Sequence, residues 1–136
     1  MVLGDMDAAT KSRALYVANW EGDAILQYEL GATNSLTYAG VFAADARLRH
    51  PEGMVFWRGH LRVCSSYHSA ILTLSRHGIV LEAMTIRLRQ SEWCWGLAAE
   101  PRTDRLLIST SPPYDFQADL PGDIPSVTES GTLTGV

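Results

Sequence analysis

The chain has 136 residues, 46% of them apolar, with 15 acidic against 11 basic side chains and a net charge of −4. This balance excludes a disordered or collagen-like polypeptide, and the longest apolar runs, of four or five residues, fall far below the roughly 20 residues a membrane-crossing helix needs. A pI of about 5.5 gives no general attraction to nucleic acid or to an anionic membrane surface, so neither is an expected partner.

The opening segment, MVLGDMDAAT, sets two acids where a secretion signal would carry a basic region and an apolar stretch. No signal peptide is expected there, and the cytoplasm is weakly favoured. Cys64 and Cys94, with no CxxC or CxxxH spacing around them, read as ordinary semi-buried thiols rather than as a disulfide framework or a zinc site.

From its first apolar run onward the chain repeats. LYVANWEGDAILQYEL at 15–30 lies without a gap over LRVCSSYHSAILTLSR at 61–76, so that Leu15 matches Leu61, Val17 matches Val63 and Ala24-Ile25-Leu26 matches Ala70-Ile71-Leu72, each 46 residues apart. A third copy begins at LLISTS, where Leu106 and Ile108 follow Leu61 and Val63 by 45 residues. Beyond that the spacing widens to 53, as between Ile71 and Ile124, which places an insertion in the proline-rich stretch 111–123, SPPYDFQADLPGD. Three prolines there make a loop rather than a strand.

Each unit holds four short runs separated by turn residues, in the middle unit roughly 53–57, 61–66, 70–75 and 79–85. Within them the alternation is that of a strand, with Leu61, Val63 and Ser65 on one side and Arg62 and Cys64 on the other, and no segment sustains a helical apolar period. Four strands in about 45 residues is the size of a β-propeller blade. The fold class expected is all-β, with about three four-stranded antiparallel sheets in a single segment over 1–136. Blade 1 covers about 1–45, blade 2 about 46–88 and blade 3 about 89–136.

LYVANWEGDAILQYEL, HPEGMVFWRGHLRVCSS and WGLAAEPRTDRLLIST resemble the repeat of NHL and YVTN-type β-propellers, in which P-x-G-φ-x-φ precedes an LYV-a-[ND] element, and lactonase-like propellers share the YVAN sequence. The likeness is to a blade and implies a fold more than a function. Ser109-Thr110 and Ser65-Ser66 stand where the pattern has an acid or Asn after LYV.

In such a blade, the connections leading into the innermost strand and those joining the second strand to the third emerge on one face. There the sequence gathers His50 and Glu52 with Glu92 and Trp93, then Asn19 and Trp20, then Tyr67 and His68. A ligand pocket is expected on this face. Four chemistries are open to it. Asn19, Glu52 and Glu92 offer hard oxygen ligands for Ca2+ or another divalent metal, as the resemblance to gluconolactonase-type propellers implies. His50 and His68 offer acid–base groups. The duplicated ARLRHPEG and IRLRQSEW place Arg47 with Arg49, and Arg87 with Arg89, as a guanidinium array for a carboxylate or phosphate. Trp20, Tyr67, Trp93 and Trp95 form an aromatic rim for a sugar or peptide, with Trp20 and Trp93 the better candidates and Trp57 and Trp95 packing residues.

Three sheets do not close a propeller, which takes four to eight blades. The chain is therefore expected to join either itself, as a head-to-tail homo-oligomer, or the rest of a longer propeller. The function expected is a non-catalytic binding or interaction module for a small molecule, sugar or peptide. A fragment or divergent member of a propeller lactonase or metal-dependent hydrolase is the alternative.

Overall fold

The computed structural model describes residues 1–6, 12–86, 93–111, 126–127 and 133–134. The strands are β1 (Val2–Met6), β2 (Arg13–Asn19), β3 (Ala24–Leu30), β4 (Leu36–Ala44), β5 (Pro51–Trp57), β6 (His60–Ser65), β7 (Ala70–Leu74), β8 (Val80–Thr85), β9 (Trp93–Glu100), β10 (Arg105–Ser111), β11 (Ser126–Val127) and β12 (Leu133–Thr134). They form three antiparallel sheets in which chain neighbours pair, β1 to β4, β5 to β8 and β9 to β12, the last two strands being two residues each. Among the described residues there is no α-helix, and none of the three sheets closes on itself. Accordingly, no helix among the described residues is long and apolar enough to cross a membrane.

The middle sheet lies between the other two, and its side chains alternate accordingly. Leu61, Val63, Leu72 and Leu74 join Ile25, Ala43 and Met54 in a core with the first sheet. Cys64, Ile71 and Trp57 join Cys94, Leu106 and Ile108 in a second core with the third sheet. With both faces covered, every residue of β7 is buried, which accounts for its unbroken sequence AILTL. The strands read from the middle unit fall on β5 to β8, and the two-sided reading of 61–65 holds.

Two glycines set how closely the sheets approach. A Cβ on Gly53 of β5 would come within 2.5–2.7 Å of the backbone of Trp95, Gly96 and Leu97 in β9. Gly78, in the β7–β8 turn, has φ +75°, and a Cβ there would collide with the Phe42 carbonyl of β4. Close backbone approach excludes a side chain at Gly53, and at Gly78 the left-handed conformation favours glycine while the Phe42 carbonyl excludes a Cβ.

One reading of the sequence is overturned. Cys64 of β6 and Cys94 of β9 are not separate thiols but a disulfide joining the middle and third sheets, with Cα atoms 5.6 Å apart. Each cysteine faces the shared core of the two sheets, so residues 30 apart in the chain meet across the sheet interface. At the opposite end from the predicted site, the turn PRTD also does more than its composition suggests. Asp104 accepts the Trp57 indole N–H at 3.0 Å and the Arg58 guanidinium at 2.6–2.9 Å, while Arg58 and Arg62 lie over the Trp57 ring at 4.7 and 5.0 Å. That end is a clasp between the middle and third sheets.

Candidate functional site

At one end of the sheets emerge the β2–β3 turn, the segment leading into β5, and the 3-10 turn Ser66–His68 that joins β6 to β7. The backbone here is unusual. Asp23, His50 and Ser69 have φ of 49°, 47° and 46°, the left-handed region that side chains other than glycine enter only when held there.

The holding groups can be named. Asp23 accepts the His50 backbone N–H at 2.8 Å through one oxygen and pairs with the Arg49 Nε at 2.8 Å through the other. Ser65, fully buried, accepts the Arg49 N–H at 2.8 Å and donates to the Arg47 carbonyl at 2.8 Å. Leu48 is buried while Arg47 and Arg49 on either side are exposed, in a turn-containing link from β4 to β5 in which the Leu48 N–H bonds the Asp45 carbonyl.

So positioned, the His50 imidazole stacks on the Trp20 indole, with centroids 4.0 Å apart and planes at 21°. Its other neighbour is the Tyr67 ring, edge-on at 5.6 Å, and Tyr67 in turn meets His68 at 5.4 Å. The Trp20 Nε1–H donates to Glu52 Oε1 at 3.0 Å. Burial raises the Glu52 carboxyl above the ordinary glutamate range, against the opposing influence of hydrogen bonds from Trp20 and Ser66 and of the nearby His50 charge. Trp20 and Tyr67 keep 39% and 59% of their surface exposed, so the cluster opens to solvent on two aromatic faces. The His50 Nδ1 is buried without a hydrogen-bond partner among the described residues.

Trp20, His50, Glu52, Tyr67 and His68, proposed from sequence as neighbours, are thus one contiguous group contributed by two sheets. Asn19 stands apart from it chemically, since its Oδ1 accepts the Gly22 N–H at 3.3 Å and shapes the β2–β3 turn. Glu92, Arg87 and Arg89 lie outside the described residues, as does most of the proline-rich stretch. Among the described residues no three His, Cys, Asp or Glu side chains converge as metal ligands.

The arginines are already engaged. Arg47 grips Asp45 through two contacts of 2.8 Å, which pull the Asp45 carboxyl down to about 2, and Arg49 grips Asp23 while lying over Tyr67 at 5.3 Å. Trp93 stacks with Trp95 at 6.4 Å within β9. The third sheet reaches the cluster through the Ser66 hydroxyl, which donates to the Cys94 carbonyl at 2.8 Å. Sequence reading missed Asp23 and Ser65 as organisers. An Asp at the last position of a tight turn was the available signal for the first.

No protein-family model matches the chain, and no curated protein matches it.

Proposed function

We propose that the chain is a run of three consecutive β-propeller blades acting as a non-catalytic binding module, with its ligand on the end bearing Trp20, His50 and Tyr67. The blade reading is supported by three four-stranded meanders packed face to face and by the contacts that β5 makes with both β1 and β9, as innermost strands ringing one axis would.

The observation that carries the binding reading is the His50 clamp. A histidine is held in left-handed backbone by Asp23 and sandwiched between Trp20 and Tyr67, both of which stay partly open to solvent. Strain and exposed aromatic surface maintained together are the mark of a built site. Because Arg47 and Arg49 already hold carboxylates, a neutral sugar or a peptide fits the site better than a free phosphate or carboxylate.

The ring would be completed by further blades, from a second copy or from the rest of a longer propeller. The Cys64–Cys94 disulfide favours an oxidising compartment over a reducing one. The test is titration of the chain with neutral oligosaccharides and short peptides, followed by intrinsic tryptophan fluorescence. Binding lost in Trp20→Ala and Tyr67→Ala, with the fold retained, is the expected result. Binding indifferent to both substitutions overturns the assignment.

A further inference from the structure

We infer that a second copy of this chain completes the ring, the outer face of the first sheet packing on the outer face of the partner's third sheet, with the reciprocal junction closing the pair. The inference rests on the blade reading above and concerns surfaces separate from the Trp20–His50 site.

The sheets stack in one sense, and the repeat shows which face is which. In the middle and third sheets the face turned toward the preceding sheet carries Leu61, Val63 and Leu72, then Leu106 and Ile108, all exposed by 2% or less. Their counterparts in the first sheet are Leu15, Val17 and Leu26. The face of that sheet turned to the middle sheet is made instead by Tyr16, Ala18, Ile25 and Ala43. Leu15, Val17 and Leu26 therefore point the other way. The register extends their face across the sheet, pairing Leu15 with Tyr28 and Tyr38, and Val17 with Leu26 and Val41. Tyr38 and Val41 are 54% and 58% exposed. A face built like two that are fully covered elsewhere in the same chain stands open, and an apolar patch of that kind marks an interaction surface.

What covers this type of face within the chain is the following face of the preceding sheet. One such face also stands open, on the third sheet. There Gly96 pairs with Ser109 and Ala98 with Leu107, on the side away from the core formed by Leu106 and Ile108. These residues, with Leu97, line a shallow depression of about 280 Å3, its floor lowered where Gly96, Ala98 and Ser109 carry little or no side chain. Projecting Leu, Val and Tyr side chains on one open face and a recessed Gly, Ala and Ser surface on the other are complementary in shape. The chain cannot join them itself, because the first and third sheets lie on opposite sides of the middle one. A two-fold arrangement of two chains joins both pairs at once and gives six blades, within the range that closes.

The experiment is size-exclusion chromatography with light scattering on the full chain, with Val17→Glu for the first face and Ala98→Arg for the third. The expected mass is twice the 15.0 kDa of one chain. Each substitution should weaken self-association by roughly tenfold or more. Mixing the two variants should restore pairing, since one junction of the mixed pair is unaltered. A chain that runs at 15.0 kDa at every concentration overturns the inference. So does an assembly of more than two chains, or a pair indifferent to both substitutions. Tyr38→Glu, at an exposed position of the same face, serves as the second variant should Val17→Glu fail to fold. Maltotriose and chitotriose are titrated into the same samples. A monomer that still binds either one removes the ring closure and leaves the ligand site standing, whereas a dimer that binds neither speaks against the site alone.

Discussion

Trp20 and His50 stack at 4.0 Å although they belong to turns of different sheets, and the contact exists because Asp23, three residues after Trp20, binds the His50 backbone N–H at 2.8 Å. One turn thus supplies both the ring that covers the imidazole and the carboxylate that holds it. Replacing His50 by Ala should shift Trp20 emission to longer wavelength by admitting water to the indole face. Asp23→Ala should produce the same shift with His50 still present and should cost about 1–3 kcal/mol, as expected for a charge-assisted hydrogen bond lost at a partly buried position. Emission spectra and urea unfolding measure the two effects. An unchanged spectrum in Asp23→Ala would show that the imidazole stays in place without it.

Glu52 gives the site a defined pH response. Burial raises its carboxyl above the ordinary range, so the folded chain binds the proton more tightly than the unfolded chain does. Its contribution to stability is therefore complete below the ordinary glutamate pKa and declines as pH rises through the raised folded value. Glu52→Gln can still accept the Trp20 N–H and carries no charge to desolvate. The stability of the Gln variant relative to the native chain should accordingly increase as pH rises from about 4 toward neutrality. Urea midpoints across that interval test it, and a difference that is flat or falling with pH contradicts it.

The disulfide joins the middle and third sheets at a point where both cysteines are buried. Reduction, or the double substitution Cys64→Ala with Cys94→Ala, should lower stability by about 2–4 kcal/mol. Because Ser66 binds the Cys94 carbonyl, the loss should also loosen the 3-10 turn that carries Tyr67. Hydrogen exchange under oxidising and reducing conditions should show faster exchange at Ser66–His68 in the reduced protein. Protection unchanged by reduction would separate the disulfide from the site.

Gly53→Ala tests the approach of β5 to β9. The added Cβ meets backbone atoms at 2.5–2.7 Å, where no side-chain rotation can relieve it. A loss of about 1–3 kcal/mol is expected from the forced backbone shift. At Gly59, which unlike Gly53 lies in left-handed backbone with φ +75° and has open space around a Cβ, alanine should cost the conformational penalty alone, about 1–2 kcal/mol. Thermal denaturation measures each loss, and a Gly53→Ala chain as stable as the native one would show that β5 and β9 are not held this close.

The sequence by itself determined the strands and their sidedness. The period of two within each run follows from local backbone geometry, which is why the alternation of Leu61, Val63 and Cys64 is legible before any fold is known, and the repeat of about 45 residues is read directly from the matching segments. The same periodicity gathered Trp20, His50, Glu52, Tyr67 and His68 at one end, since loop order along a meander is fixed by counting strands. The tertiary structure alone decided which groups these residues touch. That Cys64 reaches Cys94, that Asp104 clasps Trp57, and that Asp45 and Asp23 engage the arginines depends on how one sheet is set against the next or how a turn folds back. Those distances are fixed by side-chain packing between elements far apart in the chain, and a repeat read along one dimension carries no measure of them.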